Sequence, residues 1–255
     1  MPHNDLSPES RERFDRNLRI PEIGCEGQKR LLGASALVVG AGGLGSAAIL
    51  YLASAGVGRL AIADSGRLEL SNLNRQVLHR TCDVGRRKVD SAREAVFSLC
   101  PICKVEIVAD RLDAGNVRGM VRGFDVVLDC SDNFPTRLGL SDAAWQEKIP
   151  LVSAAAVRME GRLLTVLPGR GPCYRCLVPE LPPEAQVPRA VEVGILGGAA
   201  GAMGALQAVE AVKVLLGVGE TLIDRLLIYD GLGGRFREVK RVRDPACPLC
   251  GKAVM

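Results

Sequence analysis

Ala36-Leu37-Val38-Val39-Gly40-Ala41-Gly42-Gly43-Leu44-Gly45-Ser46 is the stretch on which the fold turns. The apolar run Ala36–Val39 reads as a buried strand. Gly40, Gly42 and Gly45 then spell G-x-G-x-x-G, and an Ala/Leu-rich helix follows from Leu44 to Ala55. Leu60-Ala61-Ile62-Ala63 is the next apolar strand, and Asp64 ends it. Together these make a βαβ unit, whose parallel strands require a crossover helix. Glycines let the backbone approach phosphates, the helix N–H groups attract an anion, and a carboxylate at the second strand end suits ribose hydroxyls. A nucleotide site is therefore expected at Gly40, Gly42, Gly45 and Asp64. The motif leaves NAD and ATP open.

Working outward, the first 35 residues read as short polar helices, Glu26 to Leu32 among them. A helix from Arg86 to Leu99 stops before Pro101. Strands follow at Val105–Val108 and Val126–Leu128, then a helix over Phe134–Glu147 and a strand over Leu151–Ala156. This alternation predicts a doubly wound, Rossmann-like, mainly parallel α/β sheet. Beyond it, Arg162–Leu167, Leu226–Tyr229 and Arg235–Val242 read as strands of an antiparallel extension, and Pro179–Pro188 as a mobile loop. The expected organisation is a helical arm (1–35), a nucleotide-binding region (36–168), and a zinc- and partner-binding region with a crossover loop (169–255), all in one integrated domain.

Composition narrows the function. Hydrophobic residues make up 47% of the 255, enough for a large core, while aromatics at 4% argue against a base-stacking nucleic-acid module. The formal charge of +4 is scattered, with Arg86-Arg87-Lys88 and Lys240-Arg241 its densest runs, so no polyanion-binding surface is expected. Residues 33–58 carry no charge and are long enough to span a bilayer, but the glycine turn splits them into a strand and a buried helix. The glycine-studded Val193–Val209 stretch also reads as a close-packed buried helix. The N-terminus lacks an apolar signal region. A cytoplasmic protein with no membrane partner is expected, and nine cysteines there point to metal or redox chemistry rather than disulfides.

Two further constellations carry chemistry. Ser71-Asn72-Leu73-Asn74-Arg75-Gln76 and Lys88 place cations after the nucleotide motif, and Asp129-Cys130-Ser131-Asp132-Asn133 places two carboxylates at a strand end. Arg75 and Lys88 suit a polyphosphate, although by composition alone each is more simply a solvated cation. Asp132 suits Mg²⁺, and Asp129 reads as a cap for the following helix. Cys173-x-x-Cys176 and Cys247-x-x-Cys250 are two zinc knuckles. Their separation is far longer than the roughly 15–20 residues common in such sites, so folding must join them. Because both lie outside the nucleotide half, the zinc is expected to be structural. His79, one of two histidines, reads as a structural donor rather than a base.

These residues resemble the ThiF/MoeB/HesA family, relatives of the catalytic core of ubiquitin-activating enzymes. The resemblance rests on GAGGLGS (40–46), SNLNRQ (71–76), VGRRKVDSA (84–92), DCSDNFPTR (129–137), RMEG (158–161) and CYRC (173–176), in that order. It spans about Arg13 to Gly251 and runs closest to the molybdopterin-synthase adenylyltransferase branch.

The resemblance implies ATP-dependent adenylation of the C-terminal Gly-Gly of a ubiquitin-fold sulfur-carrier protein, serving molybdopterin, thiazole or related biosynthesis. It implies that Gly43 approaches the α-phosphate and Asp64 the ribose. Asn72, Arg75 and Lys88, with Gln76 and Asn133 beside them, would bind the nucleotide, and Asp132 would hold Mg²⁺. Arg16 would reach the ATP of the other protomer in a homodimer, and the four cysteines would hold structural zinc. Many relatives carry an acyl-accepting cysteine in the crossover loop. Residues 177–198 here contain none, and the matching segment reads Pro188-Arg189-Ala190-Val191-Glu192. The expectation is an enzyme that stops at the acyl-adenylate, with sulfur supplied by a separate donor protein, because the chain ends soon after the second knuckle. An NAD-dependent oxidoreductase is the alternative from another class. A scaffold without catalysis, and adenylation of a peptide or a modified tRNA base, are the others.

Overall fold

A computed structural model of the chain describes residues 6–183 and 190–251. Residues 184–188 of the Pro179–Pro188 loop, and Pro188-Arg189 of the segment matching the family's cysteine, lie outside the described residues.

Three short helices open the chain: α1 (Pro8–Arg13), α2 (Asp15–Leu18) and α3 (Gly24–Gly33). β1 (Ser35–Val39), α4 (Gly43–Ala55) and β2 (Arg59–Ala63) form the expected βαβ unit. The alternation continues through α5 (Lys88–Leu99), β3 (Lys104–Val108), α6 (Val117–Val121), β4 (Val126–Asp129), α7 (Phe134–Gln146) and β5 (Leu151–Val157). Then come β6 (Glu160–Val166), α8 (Ala190–Val193), α9 (Gly197–Leu216), β7 (Arg225–Asp230) and β8 (Arg235–Lys240). The five-residue α6 was not expected. It is too short to show a helical period, and Gly119 interrupts it.

All eight strands share one sheet in the order β3-β2-β1-β4-β5-β6-β7-β8. β1 to β5 run parallel, and β6, β7 and β8 are added antiparallel. The order reverses at β1, which has β2 on one side and β4 on the other. In open α/β sheets that switch point is where ligands bind, beyond the carboxyl ends of the strands.

β1 is buried along its whole length, as an inner parallel strand must be, which is why it reads as an unbroken apolar run. β8, at the sheet edge, is exposed throughout, and Arg235, Arg237 and Lys240 discourage a further strand from pairing there. Two cores form, one on each face. α4, α5 and α9 cover one with residues such as Ile49, Leu52, Val96 and Met203. Leu138, Leu140 and Ala144 of α7, with Val121 of α6, cover the other.

α9 is the helix whose length and composition alone would allow a membrane span. Its polar residues settle its role as a core helix. Buried Gln207 donates to the Asp129 and Val152 carbonyls at 2.9 and 2.8 Å, stapling α9 to β4 and β5. Glu210 accepts from Thr165 Oγ1 at 2.7 Å and the Leu222 N–H at 2.9 Å. The helix runs to Leu216, past the expected Val209, and stops where Gly217 turns left-handed at φ 65°.

α9 and α4 approach so closely that a β-carbon on Gly204 would stand 2.2 Å from the Leu44 carbonyl oxygen. Gly204→Ala is therefore expected to lower stability by about 1–3 kcal/mol, the usual cost of overpacking. Urea denaturation checks this, and an unchanged midpoint would contradict the tight crossing.

Candidate active site and metal centre

The carboxyl ends of β1, β2 and β4 open into a cleft of about 740 Å³. Its floor is the β1–α4 loop. Gly40 there has φ 100°, a left-handed conformation that favours glycine. A β-carbon on Gly40 would lie 2.6 Å from the Cys130 carbonyl oxygen, and one on Gly45 would lie 1.9 Å from that of Gly40. Gly45 thus shapes the loop from beneath without lining the cleft, whereas Gly40, Gly42 and Gly43 line it. Backbone amides can then meet a phosphate with no side chain between.

Asp64 fixes the loop from the neighbouring strand. Its Oδ2 accepts the Ala41 N–H at 2.8 Å and its Oδ1 the Gly66 N–H at 2.7 Å. Arg75, Gln76, Lys88, Asp132 and Asn133 line the same cleft. Arg75 lays its stem over Gly43, while its guanidinium donates to the Ser71 carbonyl and Asn74 Oδ1 at 2.9 and 3.0 Å. Among the described residues the Lys88 ammonium has no hydrogen-bond or ion-pair partner. Gln76 is buried, and its Oε1 has none either. A half-buried free cation and an orphaned amide oxygen beside a side-chain-free cradle fit a polyphosphate nucleotide.

Two expected residues lie apart. Asn72 is buried outside the cleft lining, and its Oδ1 accepts the Glu69 N–H at 3.2 Å. Arg16, on α2, is 84% exposed and pairs with Asp15 at 3.2 Å, also outside the cleft lining. The expectation that Asp129 caps α7 fails. Asn133 is the cap, accepting the Thr136 N–H at 2.9 Å. Asp129 is instead fully buried, accepting from the Ser131 and Ser153 hydroxyls and pairing with Arg137 Nε at 3.4 Å. Burial works against the Arg137 charge, but Asp129, Tyr174 and Cys130 together outweigh it and hold the guanidinium pKa above its usual value. Asp132, three residues on, is exposed and, among the described residues, takes only a 3.4 Å contact from Asn133 Nδ2. The two carboxylates divide: Asp129 builds, and Asp132 faces the cleft.

Sequence reasoning missed Arg111 and Arg162, which line the cleft from the end of β3 and from β6. No motif marks them, and only the strand order brings them beside Lys88.

Cys173, Cys176, Cys247 and Cys250 converge, with all four Sγ atoms within 4.8 Å of one another. Cys173–Cys247, Cys176–Cys250 and Cys173–Cys176 are 3.5, 3.3 and 3.9 Å apart. Zinc with bonds of about 2.3 Å sets sulfur–sulfur spacings of about 3.8 Å, so the set fits a tetrahedral ion. Buried Arg241 ties this corner to the sheet by donating to the carbonyls of Thr165, Ile223, Pro172 and Cys173. Burial and the neighbouring sulfurs push the Cys173 thiol up. Burial also opposes ionisation of Cys247, but backbone N–H groups of Cys250 and Leu249 bring it down to about 7.

Fold and site together define a doubly wound α/β protein with a cleft suited to a nucleotide at its switch point and a cluster of four cysteines. The ThiF family model matches residues 14–249, and the chain belongs to that family. Over 241 residues it is 48% identical to the SAMP-activating enzyme E1 of Haloferax volcanii, covering 94% of this chain and 89% of that protein. Over 248 residues it is 44% identical to the sulfur carrier protein adenylyltransferase of Thermus thermophilus, covering 95% and 92%. It is 45% identical to the adenylyltransferase and sulfurtransferase MOCS3 of Drosophila yakuba, covering 97% of this chain and 55% of that protein. The chain thus spans about half the length of the MOCS3 relatives. The fold is shared with E. coli MccB solved with ATP, at a TM-score of 0.83 and 21% identity over 94% of this chain and 75% of that one.

Metal analysis of the purified protein is expected to find one zinc per chain. Cys250→Ser is expected to lose the metal and lower the melting temperature. Full thermal stability after complete chelation would contradict a structural centre.

Proposed function

We propose that the chain adenylates the C-terminal Gly-Gly carboxylate of a ubiquitin-fold sulfur-carrier protein with ATP, releasing pyrophosphate. The observation that carries this reading is the convergence of the glycine cradle, Asp64, Arg75, Lys88 and Asp132 on one cleft at the switch point. A relative named as a sulfur carrier protein adenylyltransferase, 44% identical over 95% of this chain, supports it. Membership of the ThiF family sets aside the oxidoreductase alternative.

The obstacle in the reaction is charge, because a carboxylate must approach a polyanion. A C-terminal carboxylate is already ionised at neutral pH, so no general base is needed. The carboxylate oxygen bonds to the α-phosphorus as the bond to the bridging oxygen breaks, and that oxygen's electron pair leaves with pyrophosphate. Lys88 and Arg75 stabilise the charge gathering on the leaving group, and the glycine amides position the α-phosphate. Asp64 orients the ribose through the oxygen lone pairs it does not spend on Ala41 and Gly66. Asp132 would hold Mg²⁺, which supplies charge neutralisation across the phosphate oxygens.

Arg16 belongs to this reading through a homodimer. Its exposure, away from its own chain's cleft lining, suits service to the cleft of a second copy. In the same reading the tetrathiolate holds structural zinc and the antiparallel strands receive the carrier. All nine cysteines are free, which suits a reducing, cytoplasmic compartment. With no cysteine between 177 and 198, the product passes on as the acyl-adenylate and sulfur comes from a separate donor protein.

ATP–pyrophosphate exchange with a panel of ubiquitin-fold carriers tests the reading. Exchange is expected with one carrier, to vanish when its terminal Gly-Gly is removed, and to fall about 10²-fold or more in Lys88→Ala. Exchange with no carrier, in protein that binds ATP, would overturn it. A carrier thioester trapped on Cys82 or any other cysteine would overturn the acyl-adenylate end point.

A further inference from the structure

His79 lies beneath the nucleotide loop, outside the cleft lining and 6% exposed. Its Nε2 stands 3.0 Å from the Ala41 carbonyl oxygen and its Nδ1 3.0 Å from Ser91 Oγ. Ser91 donates in turn to Asp83 Oδ2 at 2.8 Å. Asp83 is 5% exposed, accepts the Arg80 N–H at 3.0 Å and pairs with Arg86 at 2.6 Å, so it is a held carboxylate. Ala41, between Gly40 and Gly42, is therefore gripped on both sides: Asp64 takes its N–H and His79 faces its carbonyl. Ser91 also sits one turn along α5 from Lys88, so a single chain of contacts joins the phosphate cradle to the helix carrying the free cation.

Counting hydrogens along this chain exposes a deficit. The links from Ala41 to His79, His79 to Ser91 and Ser91 to Asp83 need three hydrogens. A neutral imidazole and one hydroxyl bring two. A neutral His79 leaves lone pairs facing each other at either Ala41 or Ser91, whereas an imidazolium satisfies every link.

The titratable groups facing the ring are Lys88 on α5, Asp64 at the end of β2, and Asp83. Burial first, and then Lys88, disfavour the imidazolium and lower its pKa; the Ala41 carbonyl, Asp64 and Asp83 favour it. A polyphosphate in the cradle would offset the Lys88 charge and tilt this balance.

We propose that His79 is a proton-linked positioning residue for the nucleotide loop: Asp83 and Ser91 hold the imidazole, its Nε2–H holds the Ala41 carbonyl, and polyphosphate binding draws a proton onto the ring. This rests on the nucleotide reading of the cleft. The sign follows from linkage. A pKa that is low in the free protein and raised in the complex makes binding tighten as pH falls, from the bound-state value down to the free-state value.

Calorimetry of ATP·Mg²⁺ binding without any carrier, in buffers of different ionisation heat, counts the protons taken up. Comparing wild type with His79→Gln cancels the nucleotide's own titration. Wild type is expected to take up more protons than His79→Gln, and its affinity to rise more steeply on acidification, by up to about tenfold per pH unit within the window. Ser91→Ala, which removes one hydroxyl, is expected to shrink the same difference and provides the measurement should His79→Gln fold poorly. Equal proton uptake and equal pH slopes in all three proteins, even with a lowered melting temperature in the variants, would reduce His79 to a packing role and overturn the proposal. No ATP binding by folded wild type would instead overturn the nucleotide reading itself.

Discussion

The approach of Gly45 to the Gly40 carbonyl, where a β-carbon would meet oxygen at 1.9 Å, is the constraint from which the rest of the site follows. It lets the chain leave β1, turn within the loop and enter α4 with its amides facing the cleft. Any side chain at these positions would push the helix off the sheet. The same economy of side chains recurs where Gly204 meets Leu44, so the loop, α4 and α9 pack as one slab over β4 and β5. Gln207 fastens that slab by binding the carbonyl of Asp129, the residue at the end of the strand that leads to Asp132. Placement of the reacting groups is thus a consequence of backbone packing, in keeping with chemistry that is mostly positioning.

Charge is arranged with the same division between building and acting. The buried pair Asp129–Arg137 and the Asp83–Arg86 pair are spent on architecture. Lys88 and Asp132, which the reaction is proposed to use, lack ion-pair partners among the described residues. A cation engaged by a neighbouring carboxylate would have little left for a phosphate. The four cysteines join the short helical turn at Tyr174–Cys176, after β6, to the loop that follows β8, through a contact no apolar side chain makes so specifically. Zinc there would fix the edge of the antiparallel half.

Most elements could be read from residues because their signals are local. The glycines around Gly40, the apolar run of β1, Asp64 at the end of β2 and the paired CxxC knuckles each state their role within a few positions. The limits of the reading have physical reasons. Asp129 and Asp132 are three residues apart and look interchangeable; only the pairing of β4 with β5 beside Ser153, and the fold of α7 that brings Arg137 back, send one inward. Arg111 and Arg162 reach the cleft through strand order, which no local pattern encodes. His79 read as a structural donor, and its Nε2 stands 3.0 Å from the Ala41 carbonyl oxygen, but its link to Ser91 and Asp83 depends on how α5 packs against the loop.

The most direct test of the central claim follows the label when the protein acts on a matched carrier with ATP labelled at either the α- or the γ-phosphate. An adenylating enzyme puts the α label on the carrier's C-terminus and releases the γ label as pyrophosphate. Transfer of the γ label to the carrier, or ATP consumption with no label on it, would contradict adenylation as the reaction of this cleft.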